Sequence, residues 1–510
     1  MKMESDKKIG SALISVYDKV NLEEIIRTMH KLSIKLYATG GTREFIEALN
    51  IPVVPVEKVT NFPSILGGRV KTLHPGIFGG ILNRRENKKD QSEIEEFGIP
   101  NIDLVIVDLY PFESTVALCA DESDIIEKID IGGISLIRAA AKNFNDVLII
   151  PSLKEYSFLL KILKENNGIS SLSERKSMAA FAFNVSSHYD TVIFNYFNRS
   201  PELPFFKNSI LNSLNLRYGE NPHQSAKFFG DFSEQFNQLN GKDISYNNLL
   251  DIDAAVKLMA EFSEPTVAVI KHNNACGLAS NANLVDAWTQ ALEADPVSAF
   301  GGIICSNCRI DAKTAEEMHK IFFEVLIAPG FDDAALEILC RKKNRILILQ
   351  KKTDVPIKQF RTILNGVVVQ ESDNHSESIK DMKVVTLKKA TPGQYEDLEF
   401  ANKIVKHLKS NAIVIAKNKQ MLGSGVGQTS RVDSLEQAIS KARKFGFDLK
   451  GAVMASDAFF PFPDCVEIAG NAGVSAIIQP GGSVKDQESI DYCNCHHIVM
   501  VLTGYRHFKH

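Results

Sequence analysis

A chain of 510 residues, 44% hydrophobic and 24% charged, is too long for one ordinary core, so two to four domains are expected. Lys and Arg (58) nearly balance Asp and Glu (62), and a net charge of −4 leaves no electrostatic footprint for nucleic acid or an anionic membrane. The charged first ten residues and the lack of a bilayer-length apolar run predict no secretory leader, no spanning helix and a cytoplasmic location.

The first 200 residues alternate short β-branched runs with amphipathic helices. Residues 12–16 read as a strand, 22–29 as a helix, 34–37 as a strand closed by Gly40-Gly41, and 43–49 as a helix. Residues 104–107 form a continuous apolar run of the buried-strand type, so the pattern predicts an α/β domain with a parallel sheet and helices on its faces. Ligands of such sheets sit beyond the carboxyl ends of the strands, where Asp18-Lys19, Thr39 to Thr42 and Asp108 to Phe112 fall. Between them, Gly67-Gly68-Arg69-Val70-Lys71-Thr72-Leu73-His74-Pro75 places two permanent cations behind a diglycine. In an extended segment Arg69 and Lys71 share one face, which makes either an anion cradle or a solvated basic strand. Tyr110-Pro111-Phe112 follows the buried strand, so Tyr110 is a hydroxyl donor at the cleft or an ordinary core tyrosine. Asp130-Ile131-Gly132-Gly133 precedes a helical run over 134–142: Asp130 is a natural cap, and the glycines leave the first amides open for an anion. Arg138 and Lys142 share a face of that helix, though a plain capped helix accounts for them equally well.

Between about 195 and 213 the periodicity breaks into Asn, Ser, Pro and Phe, which places a boundary between domains 1–200 and 201–510. The second part again mixes strands (266–270, 303–305, 412–416, 476–479) with helices (253–262, 434–445), without a visible repeat. The polar stretch 371–381 reads as a mobile loop. Cys305-Ser306-Asn307-Cys308 is a C-x-x-C and Cys493-Asn494-Cys495-His496-His497 is soft, but ribbon spacing is lacking, and no metal site is read from them. Lys271-His272 ends an apolar strand, and a lysine beside a histidine disfavours the imidazolium, which suits a general base. Residues 456–464 set three phenylalanines beside two acids, either a surface for a flat heterocycle or a buried aromatic cluster. Gly423 to Gly427 has the look of a dinucleotide fingerprint, but Gln428 occupies its sixth position and NAD is discarded.

Taken together, Ser15-Val16-Tyr17-Asp18-Lys19, Thr39-Gly40-Gly41-Thr42, the 67–75 stretch, Leu109 to Phe112, Asp130 to Gly133 and Ala139 to Asn143 closely resemble the IMP cyclohydrolase half of the bifunctional AICAR transformylase/IMP cyclohydrolase family. Leu216 to Gln224, Lys271 to Gly277, Ser298 to Gly302, Ile327 to Gly330, Gly427 to Arg431 and a basic C-terminus resemble the transformylase half, so the likeness spans about 9–510. It implies a methylglyoxal-synthase-like first domain, and a cytidine-deaminase-like second domain of two related subdomains. It also implies the last two steps of IMP synthesis. A formyl group passes from 10-formyltetrahydrofolate, a co-substrate, to AICAR, and the product FAICAR closes to IMP with no metal or redox cofactor.

By resemblance, Lys142 transfers the proton of ring closure, assisted by Lys71, Tyr110 and Asp130. Lys19, Thr39, Gly40, Gly41, Thr42, Arg69, Thr72, Asp108, Ile131, Gly132 and Gly133 hold that nucleotide. In the second half His272 is the base and Lys271 stabilises the transition state, with AICAR on Arg217, Tyr218, Gly301, Glu324, Asn411, Arg431 and Arg506. The folate side falls to Val432, Phe459, Asp464, Ser483 and Val484. A homodimer with transformylase sites across its interface is implied as well. Three positions depart from the family pattern: Tyr17 where Ser is usual, Asp108 where Asn is usual, and Ala275 where Pro is usual. A carboxylate at 108 facing the ligand would repel phosphate, and the loop at Ala275 is expected to be less rigid. Two rival readings follow from these departures, a cyclohydrolase with an impaired transformylase half and a non-catalytic AICAR or IMP sensor. Retention of Lys71, Lys142, Lys271 and His272 argues against both.

Overall fold

The computed structural model describes residues 6–118, 121–199, 203–352 and 356–510. The chain divides into two compact units, Met1–Leu211 and Asn212–His510.

The first unit is built on a five-stranded, fully parallel sheet. Its strands are β1 (Ser11–Ser15), β2 (Lys35–Ala38), β3 (Val54–Pro55), β4 (Leu104–Val107) and β5 (Leu148–Ile150), in the order β3-β2-β1-β4-β5. Leu13, Ile14, Val105, Ile106 and Ile149 are fully buried, as strands covered on both faces require. Because β2 and β4 flank β1 on opposite sides, the chain reverses direction across the sheet at β1. The loops after β1, β2 and β4 therefore open a crevice at their carboxyl ends. Around it stand α1 (Leu22–Lys31), α2 (Gly40–Ala48), α3 (Pro75–Leu82), α4 (Gly132–Lys142) and α5 (Leu172–Phe197). The 26-residue α5 begins with a capping box between Ser171 and Glu174. Its buried Arg175 donates to the carbonyls of Phe144, Asn145 and Ser170 at 2.9, 3.0 and 2.6 Å, which ties down the turn that follows α4.

The second unit carries one twelve-stranded sheet in which the same succession occurs twice. After α6 (Tyr246–Met259), the hairpin β7 (Thr266–Lys271) and β8 (Asn274–Ser280) leads through α7 (Leu284–Ala294) into parallel strands β9 (Ile303–Ser306), β10 (Val325–Ala328) and β11 (Ile346–Gln350). An antiparallel edge strand β6 (Phe236–Asn240) closes this half. In the second half β12 (Lys383–Val384) is the edge and α8 (Pro392–Lys406) precedes the hairpin β13 (Ile413–Lys417) and β14 (Gln420–Gly425). Helix α9 (Arg431–Lys444) then leads to β15 (Val453–Ser456), β16 (Ala476–Gln479) and β17 (Val499–Leu502), with α10 (Asp464–Ala472) between β15 and β16. The order is β6-β11-β10-β9-β7-β8-β14-β13-β15-β16-β17-β12, the halves meeting where β8 pairs antiparallel with β14.

Glycines at matching places let each hairpin lie against its helix. A Cβ on Gly277 would stand 1.9 Å from the Ala291 carbonyl of α7, and one on Gly425 1.7 Å from the Ser434 carbonyl of α9. The 423–427 glycines thus serve close strand-to-helix packing. No periodic side-chain pattern accompanies this repeat of topology, which explains why none is visible in the sequence. Stretch 371–381 runs from the end of the strand Gly366–Glu371 to a 3-10 turn at Ile379–Asp381, and it is anchored: the Lys406 ammonium donates to the His375 carbonyl at 2.7 Å, and Asp373 and Glu377 pair with His507. Of the C-x-x-C, Cys305 lies buried in β9, where burial pushes its thiol up to about 12, and Cys308 lies beyond the strand and is only partly buried. Among the described residues no helix is long and apolar enough to cross a membrane.

Candidate active sites

The crevice of the first unit is a cavity of about 530 Å³ whose lining includes Lys19, Thr39, Gly41, Thr42, Arg69, Lys71, Thr72, Asp108, Tyr110 and Asp130 to Gly133. Lys19, Thr39 to Thr42, Asp108 and Tyr110 enter from segments that follow strand ends, whereas Arg69 to Thr72 and Asp130 to Gly133 come from segments between helices or at the start of one. Thr39 precedes α2, and Thr42 Oγ1 donates back to the Val16 carbonyl at 3.1 Å, locking the first turn of α2 to the loop after β1. Nothing lies within 4 Å of a Cβ built on Gly40 or Gly41, so the start of this helix faces open space. The 67–75 stretch is a turn rather than the extended segment anticipated. Leu66, Gly67 and Gly68 take φ of 54°, 64° and 90°, and an isolated bridge joins Ile65 to Val70. The two glycines are needed for that left-handed run. Arg69 consequently turns to an ion pair with Glu127, and Lys71 to Asp130, whose carboxylate feels its charge. His74 caps α3, its Nδ1 accepting from Gly76 N at 3.0 Å.

Asp130 is the hub. Its Oδ1 accepts from Gly133 N at 2.6 Å, and it also takes up the amides of Tyr110 and Gly132. Burial raises its carboxyl above the ordinary range, opposed by those amides and Lys71. The first amides of α4 are therefore engaged by Asp130 rather than open to a ligand, which corrects the expectation from the diglycine. Tyr110 is half-buried, with its hydroxyl pushed up by burial and by Asp130, and packs edge-on to Tyr17 at 5.4 Å. Lys128 stands over both rings at 5.3 and 5.9 Å. Tyr17 thus supports Tyr110 as an aromatic wall, a role that serine could not fill. Asp108, at the cavity lining, accepts from the amides of Tyr17 and Asp18, so its carboxylate braces the loop after β1. Lys142 is the exception. It is exposed and closes the eleven-residue helix that Gly132 opens, about 15 Å further along the axis. It is not among the residues that line the cavity of its own chain.

In the second unit, Lys271 ends β7, and His272 and Asn273 form the two-residue turn into β8. His272 and Asn273 both take positive φ, 52° and 65°. Two such residues in succession need a brace, and Asp251 on α6 supplies it by accepting from Asn273 N at 2.6 Å. Burial raises the Asp251 carboxyl, while the Asn273 amide and the His272 and Lys271 charges oppose the rise. Asn274 Oδ1 accepts from Lys409 N at 3.0 Å, so the turn is held on both sides. Ala275 pairs with Ile270 across a bulge and is buried. Lys271 Nζ donates to the Phe300 carbonyl at 3.0 Å and would lie 3.3 Å from any Cβ at Gly301, whose φ of 69° also favours glycine. Glu324 pairs with Lys242 at 3.3 Å and accepts from Asn248 at 3.3 Å, close enough for its charge to raise Asp251. Tyr218 accepts an Arg217 hydrogen bond at 3.1 Å, and its carbonyl receives Tyr246 N at the start of α6.

Segment 409–411 joins this group to a second one. The Asn411 side chain donates to the Gln428 carbonyl at 2.9 Å, and Ser410 Oγ donates to the buried Asp457 at 2.5 Å. Arg431 pairs with Asp457 at 3.3 Å, while its buried Nε has no partner among the described residues. Arg431 and Arg506 lie over the Phe508 ring at 5.7 and 4.4 Å. Two guanidinium groups share one ring, with Asp457 paired to Arg431, a local charge balance chemically suited to an anion. Of the three phenylalanines in 456–464, Phe460 is core, whereas Phe459 and Phe462 are exposed. Asp464 opens α10, and Lys485 over the Phe462 ring at 5.3 Å brings the Ser483-Val484 loop beside them. Val432 packs against the core of this half. Sequence reasoning missed Asp251, Asp457 and Phe508. The available signals were an acid one turn into a helix before the Lys-His strand, and an acid directly after an apolar strand.

The family described as AICARFT/IMPCHase bienzyme matches residues 140–441, and an MGS-like domain matches 21–135. A protein of Bacteroides thetaiotaomicron named bifunctional purine biosynthesis protein PurH is 61% identical over 508 residues, covering 100% of each chain. Proteins of the same name from Caldicellulosiruptor saccharolyticus and Aquifex aeolicus are 48% and 46% identical, each covering 98% of this chain and 99% and 100% of their own. With one family matched across more than half of its length and relatives matched end to end, this chain belongs to the AICARFT/IMPCHase bienzyme family.

Proposed function

We infer that the protein carries out two consecutive reactions of purine synthesis, formyl transfer to AICAR in the second unit and closure of FAICAR to IMP in the first. The observation that supports this reading is that each unit presents its own constellation suited to one step. In formyl transfer the AICAR amine, conjugated with its ring, is a poor nucleophile. His272 would take its proton as it attacks the formyl carbon of 10-formyltetrahydrofolate, Lys271 would stabilise the oxyanion, and tetrahydrofolate would leave. Arg431 and Arg506 would hold the nucleotide phosphate, with Arg217, Tyr218, Gly301, Glu324 and Asn411 around the rest. The exposed rings of Phe459 and Phe462 would carry the flat pterin, with Val432, Asp464, Ser483 and Val484 at its edge. The exposure of Arg217, Phe300, Phe322 and Val484 favours a homodimer in which a second copy completes this face.

Ring closure is already unimolecular, so positioning dominates. Lys19, Thr39 to Thr42, Arg69 and Thr72 would hold FAICAR. Lys71 would stabilise the oxyanion as the carboxamide nitrogen attacks the formyl carbon, and Tyr110 and Asp130 would carry protons from nitrogen to the former formyl oxygen, whose bond to carbon then breaks as it leaves as water. Lys142, at the far end of α4 from Gly132, would supply a further proton carrier for closure.

The direct test incubates the protein with AICAR and 10-formyltetrahydrofolate and follows both products. Tetrahydrofolate and IMP in equal amounts are expected; binding of AICAR or IMP without either product would replace this reading with the sensor. A finer test concerns Gly133, where a Cβ would stand 2.5 Å from Asp130 Oδ2. Gly133→Ala is expected to displace that carboxylate and slow FAICAR closure on the order of 10²-fold, with tetrahydrofolate release unchanged in the same assay.

A further inference from the structure

The final residues are fastened to the second unit more firmly than a chain end usually is. Ser410 N donates to the Lys509 carbonyl at 2.9 Å and His507 N to the Asp457 carbonyl at 3.0 Å. Lys509 N donates to Ser410 Oγ at 3.1 Å, and its ammonium to the His407 carbonyl at 2.8 Å. These bonds fix the backbone on either side of Phe508, the ring shared by Arg431 and Arg506.

Between Arg506 and Phe508 stands His507, which is 3% exposed. Its Nδ1 lies 2.7 Å from Asp373 Oδ2 and its Nε2 2.8 Å from Glu377 Oε1. A neutral imidazole would set a lone pair against one of those carboxylates, so both nitrogens donate and the ring is an imidazolium. Glu377 is itself buried, and its other oxygen accepts from Asn402 Nδ2 of α8 at 3.0 Å. None of these groups takes part in the chemistry assigned above.

Resting on the reading of Arg506 as a phosphate ligand, we propose that His507 is a positioning residue: its imidazolium, clamped between Asp373 and Glu377, holds the C-terminal segment so that Arg506 stands beside Arg431 for the nucleotide phosphate.

The other charged groups around the clamp are Glu261, Lys406, His407 and Lys509, with Asp457 across the backbone of the segment. Lys406 and His407 both face Glu261, at 2.8 and 2.9 Å, which leaves Asp373 and Glu377 to His507. Burial opposes the charge on His507, but the two carboxylates outweigh it and push the group from 6.5 up to about 9. The raised value sets the sign: the clamp is fully made below 6.5, weakens as pH climbs from there, and is lost above about 9.

The test measures KM for AICAR and kcat of formyl transfer against pH, on the full chain, for wild type, His507→Gln, Glu377→Gln and Arg506→Ala. In wild type KM is expected to rise as pH passes about 9. His507→Gln should raise KM at neutral pH on the order of tenfold, leave kcat and FAICAR closure near wild type, and flatten the alkaline rise. Glu377→Gln removes one carboxylate and should move that rise to lower pH, a shift that loosened packing alone would not produce, and it serves if His507→Gln fails to fold. An unchanged KM profile in both clamp variants, while Arg506→Ala raises KM, would overturn the proposal and leave the phosphate reading standing. An unchanged KM in Arg506→Ala would overturn both.

Discussion

Replacing His272 by alanine is expected to slow formyl transfer about 10²–10⁴-fold, the usual range for losing a general base. The side chain stands on a turn that Asp251 and Lys409 hold from two sides, so the truncation removes an imidazole without releasing the backbone. Neither anchoring bond uses the imidazole. The measurement is tetrahydrofolate release with AICAR and 10-formyltetrahydrofolate in excess. Closure of supplied FAICAR should proceed at the wild-type rate, because every group assigned to it lies in the other unit.

The second large effect belongs to Lys71. Lys71→Ala is expected to slow closure of FAICAR about 10²–10³-fold, as expected for loss of an oxyanion donor in a sheltered site, while tetrahydrofolate release stays at the wild-type rate. FAICAR should then accumulate from AICAR and be recoverable as the end product. Lys71 also lends its charge to Asp130, whose carboxyl is already raised by burial. Removing the ammonium should raise it further. The residual closure activity of the variant should accordingly have its acidic limb at higher pH than wild type.

Much of this architecture is legible in the sequence where burial leaves a continuous apolar signature. The runs at 104–107 and 476–479 coincide with the observed strands because a strand covered on both faces admits few polar residues. Helix α5 was not anticipated: Ser, Asn, His and Asp interrupt its apolar positions, and the buried Arg175 reads as a surface residue until its three carbonyl partners are seen. Alternation in the 67–75 stretch suits an extended strand, whereas Leu66, Gly67 and Gly68 in left-handed conformations make it a turn. That turn is what directs Arg69 to Glu127 and Lys71 to Asp130.

The site followed the same division. Residues carried by contiguous motifs, such as Thr39 to Thr42 and Asp130 to Gly133, come together in the crevice, because each motif is the loop after one strand or the start of one helix. Partners far apart in sequence could not be read this way. Asp108 braces Tyr17 and Asp18 across about 90 residues, Asp251 holds Asn273 from another helix, and Glu377 meets His507 across 130. Lys142 shows the converse. Motif resemblance placed it in the cleft, while helix geometry sets it at the opposite end of α4 from Gly132.

The central claim is that one chain holds two separate chemistries in two units. It is tested most directly by mixing His272→Ala with Lys71→Ala and following IMP from AICAR and 10-formyltetrahydrofolate. Neither variant alone should form IMP at an appreciable rate, and the mixture should, since one supplies the FAICAR that the other closes. Substantial IMP from either variant alone, or none from the mixture, would contradict the account.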